Sequence, residues 1–422
     1  MNKYILHSLR HVLAILALLS INHVLWASSN HEGPAIVFDN FDQSIELVEK
    51  GNVYRLEGRD FSVKLSDRLL VKVSNKVSKA AVESMQQNIQ SVVPVFNGLD
   101  FTYFNVKLDD SLLLGQSLRQ LRANKNVLLV QPDLLQISDA KFTANTAVSA
   151  VKQVRSDSWA EYKRGIKLAS IQKYTLGQGI RIAVIDSGFL LEHESLAHIR
   201  PIFSYDVHTQ SVATMSSIAN ANHGTRVAGI IFGKATAEFS GGVAPEAQMI
   251  ALSHVDTWTS KTILTFQLAQ LERADVVNCS WNSVWLTEPV ADVINELTKN
   301  GRGGRGVAVV IAAGNGGKDV TSSPTEAFLD NAIVVGAHDL NHNRLPYSNY
   351  GQSVDFSSFG SATIVPDSNG GYGKFGGTSM AAAVASGIAA LKLSLNPELT
   401  VRQLASELNA VFQLNTMERR DS

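Results

Sequence analysis

Five short runs in the later part of the chain are apolar without a break: Ile182-Ala-Val-Ile, Met249-Ile-Ala-Leu, Val276-Val, Val307-Ala-Val-Val-Ile-Ala-Ala and Ala332-Ile-Val-Val. A strand with one face in water alternates apolar and polar residues; these do not, so both of their faces must be covered. With helical patterns between them, the architecture that covers both faces is a parallel sheet joined by crossover helices. Such a sheet gathers its ligands beyond the carboxyl ends of its strands. The residues that follow each run are therefore where chemistry is expected.

Four positions carry reactive groups, two of them just after such a run and two at the start of a helical pattern. Asp186 ends Arg181-Ile-Ala-Val-Ile-Asp-Ser-Gly, where a carboxylate can orient an imidazole and Gly188 allows a sharp exit. Taken alone, such an aspartate serves equally well as a helix cap or turn former. His223 opens Asn222-His-Gly-Thr-Arg-Val-Ala-Gly, a loop running into a helix, and can act there as a general base near neutral pH. Ser379 lies in Gly376-Gly-Thr-Ser-Met-Ala-Ala-Ala, a glycine turn feeding a helix of small residues. On a first helical turn its hydroxyl and its own N–H sit beside the positive end of the helix, where an oxyanion would form. An N-cap serine is the plainer use of that position, but a cap requires neither the paired glycines nor the small-residue helix. Asn315, in Gly314-Asn-Gly-Gly after the fourth run, can donate its amide to the same oxyanion; as Asn-Gly it could also make a hairpin turn, though no alternating strand follows.

Other chemistries fit less well. His193-Glu-Ser-Leu-Ala-His198 resembles a zinc-protease helix, but a spacing of five residues turns ~500° and leaves the two rings on different faces. No Gly-x-Ser-x-Gly elbow surrounds Ser379, as an α/β-hydrolase would need. Cys279 is the sole cysteine, which excludes a disulfide framework and a multi-cysteine zinc site. A net charge of -1 with scattered lysines and arginines gives no reason to expect a nucleic acid partner.

The 422 residues, 45% of them hydrophobic, exceed one average domain and leave room for a second, smaller unit. Residues 1–29 read as a signal peptide: Lys3, His7, Arg10 and His11 precede the apolar run 12–19, and small residues follow at Ala27, Ser28 and Ser29. Export to the periplasm or the medium is the expectation. Retention as a membrane anchor is the alternative, since apolar residues continue through Ile21, Val24 and Trp26, although Asn22 and His23 break the ~20 residues a spanning helix needs. Residues 30–60 contain strand-like pieces at 35–38 and 53–56 without an assigned role. From 61 to 140 strands are expected at 61–65, 69–73, 101–108 and 127–130, with helices at 79–89 and 114–121, a small α+β unit with an antiparallel sheet. Residues 141–158 read as a linker containing a maturation site, 159–415 as the main domain and 416–422 as a tail.

With Asp186-Ser-Gly, His223-Gly-Thr-Arg-Val-Ala-Gly, Ala312-Ala-Gly-Asn-Gly and Gly377-Thr-Ser-Met-Ala in that order, the chain resembles the subtilisin-like serine proteases over about residues 159–410. Asp, His, Ser is the order in which that family carries its triad. Cys279-Ser-Trp, Gly301-Arg-Gly-Gly-Arg-Gly-Val and Asn396-Pro-Glu-Leu-Thr bring it nearest the kexin-like branch. The resemblance implies an α/β fold with a parallel seven-stranded sheet flanked by helices, preceded by an α+β ferredoxin-like propeptide domain that inhibits the enzyme until cleaved. It implies Asp186, His223 and Ser379 as catalytic, Asn315 as oxyanion donor, and Ser280, Trp281 and Asn282 as substrate-binding. A peptide or protein substrate and the chain's own propeptide are then the partners of a monomeric enzyme. The chemistry would need no cofactor, and structural calcium could be bound by ligands the sequence does not single out. A catalytically inactive fold used as a binding module is the competing reading, and a membrane-anchored processing factor a second. Ala383 stands where the family usually has proline. The segment after Ser280 has no acid before Glu288, so a strict preference for paired basic residues is not expected; Asp256, Glu326 and Asp330 are the other acids that could supply one.

Overall fold

Residues 36–137 form the first of two lobes. The computed structural model of the chain describes residues 35–56, 61–137, 158–212, 221–256, 258–321, 325, 329 and 331–417. The signal-peptide reading and the linker reading up to residue 157, with Glu326 and Asp330, fall outside them; Ser158, read as the end of the linker, opens the first helix of the second lobe. The first lobe runs β1 (Ile36–Asn40), β2 (Gln43–Lys50), β3 (Val53–Leu56), β4 (Ser62–Ser74), α1 (Lys79–Glu83), β5 (Ile89–Asn97), β6 (Phe101–Leu108), a short 3-10 turn, α2 (Leu114–Arg122) and β7 (Val127–Ile137). Its sheet has the order β1-β2-β3-β4-β6-β5, with β7 on the other edge of β4, and every pairing is antiparallel.

Three details of this lobe differ from expectation. The segments 61–65 and 69–73 are one strand, whose register against β7 shifts between Leu65 and Leu69. The helix expected over 79–89 stops at Glu83: Gln86 and Asn88 turn their amides onto Ser117, and the β-branched pair Val92-Val93 continues as strand. Pro94 is tolerated because β5 is an edge strand. Residues 36–56, which had no role, add three strands to the same sheet.

The second lobe contains α3 (Ser158–Gly165), α4 (Leu168–Gln172), β8 (Arg181–Asp186), β9 (Phe203–Asp206), α5 (Asn222–Phe232), β10 (Gln248–Ser253), α6 (Thr259–Leu271), β11 (Val276–Cys279), α7 (Glu288–Gly304), β12 (Ala308–Ala312), β13 (Ile333–His338), β14 (Phe356–Phe359), the hairpin β15 (Thr363–Pro366) and β16 (Tyr372–Phe375), α8 (Gly377–Leu395) and α9 (Val401–Met417). Its seven strands lie in the order β14-β13-β12-β11-β8-β10-β9, all parallel. The two faces of β8 show why the apolar runs are unbroken. Ile182 and Val184 enter the core shared with α5 and α8, and Ala183 and Ile185 the core shared with α6 and α7. Helix α8 is long and apolar enough to cross a membrane, yet 83% of that stretch is buried inside the fold, which makes it a core helix.

The lobes share a core. Leu70, Val95, Phe96 and Tyr103 of the first sheet pack with Ile263 and Phe266 of α6 and Val290 and Ile294 of α7. Lys72 pairs with Asp292 at 2.7 Å, and the Tyr103 hydroxyl donates to the same carboxylate at 2.5 Å. Asp133, in the middle of β7, accepts from the Ser260 N–H at 2.9 Å and the Ser260 hydroxyl at 2.6 Å, capping the first turn of α6.

Candidate active site

β8 delivers Asp186 to the carboxyl edge of the sheet, and Gly188 turns the chain away with φ of 115°. The Asp186 carboxylate is fixed before it meets any other side chain, because its Oδ1 accepts from the Ser187 N–H at 2.7 Å. His223 stands on the first turn of α5, and its Nδ1 lies 2.8 Å from Asp186 Oδ1 and 3.0 Å from Oδ2. Nδ1 therefore carries the proton, which leaves Nε2 with a free lone pair. Gly224 explains the closeness of helix and strand: a Cβ there would lie 2.2 Å from the Gly188 carbonyl oxygen and 3.2 Å from Asp186 Cβ. The imidazole is 22% exposed at the side chain while the carboxylate is 2% exposed, so the ring is the member of the pair that faces the cleft.

Ser379 lies on the first turn of α8, just beyond Phe375, whose ring meets the His223 imidazole edge-on at 5.6 Å. By helix geometry the Ser379 N–H has no acceptor within its own helix. Its hydroxyl donates to the Ser280 carbonyl at 2.8 Å, and the Ser280 hydroxyl donates back to the Ser379 carbonyl at 2.9 Å. Below them Asn278 donates to Ser280 Oγ at 2.9 Å and accepts from the Ser386 hydroxyl at 2.9 Å, a buried polar network joining β11 to α8. His223 Nε2 is buried without a hydrogen-bond partner among the described residues. The structure thus joins Asp186 to His223 and anchors the Ser379 hydroxyl on Ser280; catalytic hydrogen bonds commonly tighten only around substrate.

Asn315 follows β12 and faces the same turn of α8. Its Oδ1 accepts from the Thr378 N–H at 2.9 Å and the Thr378 hydroxyl at 3.0 Å, which leaves the amide NH₂ available as a donor at the start of α8. Asn349, which sequence reasoning missed, holds this loop: its amide donates to the Ala313 carbonyl at 2.8 Å and accepts from the Gly316 and Lys318 N–H groups. Nothing in Ser348-Asn-Tyr-Gly distinguishes it from an ordinary turn. Trp281 donates its indole N–H to the Ile185 carbonyl at 2.7 Å, and Asn282 packs beside Gly314. Ser280, Trp281 and Asn282 therefore form the wall between the β8 and β12 ends. His254, its ring 5.4 Å from Trp281, is pushed down to about 4 by burial and stays neutral. Of the acids considered for a basic subsite, Asp256 is paired with Lys261 at 2.7 Å and His208 at 2.8 Å, and Glu288 accepts from the Phe41 N–H at 2.8 Å. His193 and His198 bond to different carbonyls, those of Gly371 and Pro245. Among the described residues no three His, Cys, Asp or Glu side chains converge as a metal site.

Residues 177–415 match the family model for the subtilase peptidases. The chain belongs to the subtilase family. Similar proteins include the alkaline elastase YaB of a Bacillus species, 30% identical over 61% of this chain and 65% of that protein. A calcium-dependent protease of a Nostoc species is 29% identical over 54% of this chain and 40% of that protein. Subtilisin Savinase of Lederbergia lenta is 33% identical over 55% of this chain and 82% of that protein. This subtilase thus spans less than two thirds of the length of the first two relatives.

Proposed function

We propose that this subtilase is an exported serine endopeptidase that hydrolyses peptide bonds through an acyl-enzyme and is made as a self-processing precursor. Ser379 attacks the scissile carbonyl after its hydroxyl turns from Ser280 towards His223 Nε2. His223 takes the proton and returns it to the leaving amine, and Asp186 holds the ring in the tautomer that makes this possible. The Ser379 N–H and the Asn315 amide receive the oxyanion. A water activated by the same histidine then releases the acyl group. Substrate backbone runs along the Ser280–Asn282 wall. The observation that carries the reading is the Asp186–His223 pair at 2.8 Å, opening towards the first turn of α8 within a region that matches a peptidase family. The names of the relatives support a protease, and that of the Nostoc protein supports structural calcium.

The first lobe is the chain's own inhibitory propeptide in this reading. In support, β4-α1-β5-β6-α2-β7 with the sheet order β7-β4-β6-β5 is a ferredoxin-like arrangement. Leu135 bridges Trp258, and Gln136 bonds both backbone groups of Trp285, so the end of β7 touches the segments that follow β10 and β11. The kexin-like strings remain the support for the nearest branch, and the polar 141–158 stretch for the maturation cut. The inactive binding-module reading is favoured by one observation, the bond from Ser379 to the Ser280 carbonyl. A fluorophosphonate probe decides between them. It should label the processed wild-type protein and not Ser379→Ala, whose linker should stay uncut; a folded wild-type protein that neither takes the label nor cleaves any peptide of a mixed library would refute the peptidase.

A further inference from the structure

Helix α5 carries His223, and Ser379 follows the end of the β15–β16 hairpin by four residues. How the hairpin lies along the helix therefore sets where Ser379 stands relative to the imidazole. The two elements meet at three heights. Pro366, at the end of β15, packs where α5 has no side chain, since a Cβ at Gly229 would be 2.8 Å from its Cδ. Asp367, the next residue, meets Arg226, whose Nη2 donates to its Oδ2 at 2.6 Å. Phe375, at the end of β16, reaches the His223 ring with 5.6 Å between centroids. Arg226 is three residues beyond His223, so the ion pair lies one turn along the same face of the helix.

The hairpin is built closely around this pair. The two side chains are 14% and 8% exposed. β16 makes room for them with a glycine: a Cβ at Gly373 would lie 2.1 Å from Asp367 Oδ2 and 2.9 Å from Arg226 Nη2. Behind them the turn is closed by the Asp367 N–H donating to the Gly371 carbonyl at 2.9 Å and the Gly370 N–H donating to the Asp367 carbonyl at 3.2 Å. Stability gives no reason for the arrangement. Taking two charges out of water offsets most of their attraction, and apolar side chains of similar volume commonly hold a core as well or better. Arg226 Nε adds a further cost, being buried without a hydrogen-bond partner among the described residues. Packing against a glycine or a ring permits sliding, whereas a charged hydrogen bond fixes direction as well as distance.

We propose that Arg226 and Asp367 are positioning residues of the reaction: their ion pair sets the register of the β15–β16 hairpin along α5, and with it the placement of Ser379 against His223. They act on the reaction through those two residues. This rests on the peptidase reading of the site.

The test compares wild type with Arg226→Met, Arg226→Lys and the double variant Arg226→Met/Asp367→Leu. Each is a full-length chain with a recognition sequence for a second, specific protease placed within residues 141–157, so that all are cut alike whatever their own activity. The double variant exchanges the pair for apolar side chains and should melt at or above the wild-type temperature. Its kcat on a fluorogenic peptide should nevertheless fall by about 10²-fold with little change in KM, the effect of a displacement of about 1 Å, and fluorophosphonate labelling should slow in step. Arg226→Lys keeps the charge and should recover kcat to within about tenfold of wild type. Arg226→Met alone strands a buried carboxylate and should lose both melting temperature and kcat, so the double variant guards against a simple failure to fold. A double variant with wild-type kcat would overturn the positioning role, and one that loses melting temperature and kcat together would reduce the pair to a prop of the fold. A folded wild-type chain without any activity would instead overturn the peptidase reading, and the proposal with it.

Discussion

Gly224→Ala tests whether the closeness of α5 and β8 is what makes His223 competent. The added methyl would lie 2.2 Å from the Gly188 carbonyl oxygen and 3.1 Å from the Phe189 ring. A carbon and a carbonyl oxygen approach to about 3.3 Å at the closest, so the start of α5 must retreat by about 1 Å. His223 is the adjacent residue, and its 2.8 Å bond to Asp186 would stretch beyond hydrogen-bonding range. A misplacement of about 1 Å costs about 10²-fold in rate. Overpacking should also cost about 1–3 kcal/mol of stability, leaving a folded protein. The expected result is kcat/KM lowered about 10²-fold on a fluorogenic peptide, with a modest fall in Tm and weaker fluorophosphonate labelling. Gly165→Ala, with nothing within 4 Å of the new methyl, controls for substitution itself. A folded Gly224→Ala protein with kcat within threefold of wild type would show that the Asp186–His223 contact does not limit the reaction.

Asn315→Ala should lower kcat by about 10²–10³ with little change in KM, because the amide bonds the developing oxyanion; an unchanged kcat would make Asn315 a turn residue only. kcat/KM should fall on an acid limb as pH is lowered, since a protonated imidazole cannot act as base. His254, held down at about 4 by burial, does not contribute there, so a limb that stays flat to pH ~4 would refute a histidine base. Burial pushes the Asp133 carboxyl up to about 6, against the hydrogen bonds from Ser260 and the nearby Arg68 and Lys261 charges. With a folded value above the ordinary ~3.9, its contribution to stability is fully present below pH ~4 and is lost as pH rises through about 6, on the order of 3 kcal/mol across that window. Urea unfolding of Ser379→Ala with and without Asp133→Asn between pH 4 and 8 should show that segment of the pH dependence only with aspartate; parallel curves would refute it.

The parallel sheet was legible because its strands are buried on both faces and carry their signature locally. Two strands escaped. β9, Phe-Ser-Tyr-Asp, and β14, Phe-Ser-Ser-Phe, have only four residues each and lie at the two edges of the sheet, where one flank has no neighbour and a polar residue is tolerated. In the first lobe the split of β4 and the lengthening of α1 had one cause. Irregular register and a helix one turn long are set by the neighbouring strand and by Ser117, far along the chain, and leave no mark on local periodicity.

The same distinction separates the candidate catalytic residues from the contact between the lobes. Asp186, His223, Asn315 and Ser379 each sit at a strand end or a first helical turn, so the string around each reports its geometry. The small-residue helix after Ser379 is a packing requirement: α8 runs through the core against α5 and the sheet, and a Cβ at Gly387 would meet Val243 at 2.5 Å. Asn40 and Leu286, by contrast, are 246 residues apart, and Phe38, Gln136 and Trp285 are unremarkable types in unremarkable surroundings. What makes them a site is pairing across two lobes, a property of the folded chain alone. The Ser280–Trp285 segment shows both cases in one stretch. Its first residues line the proposed cleft and were expected there from the family resemblance, while Trp285, three positions beyond Asn282, has turned into the other lobe. One short loop thus ties the proposed substrate wall to the contact between the lobes, so loosening Trp285 should be felt at Ser280 even though no catalytic group is touched.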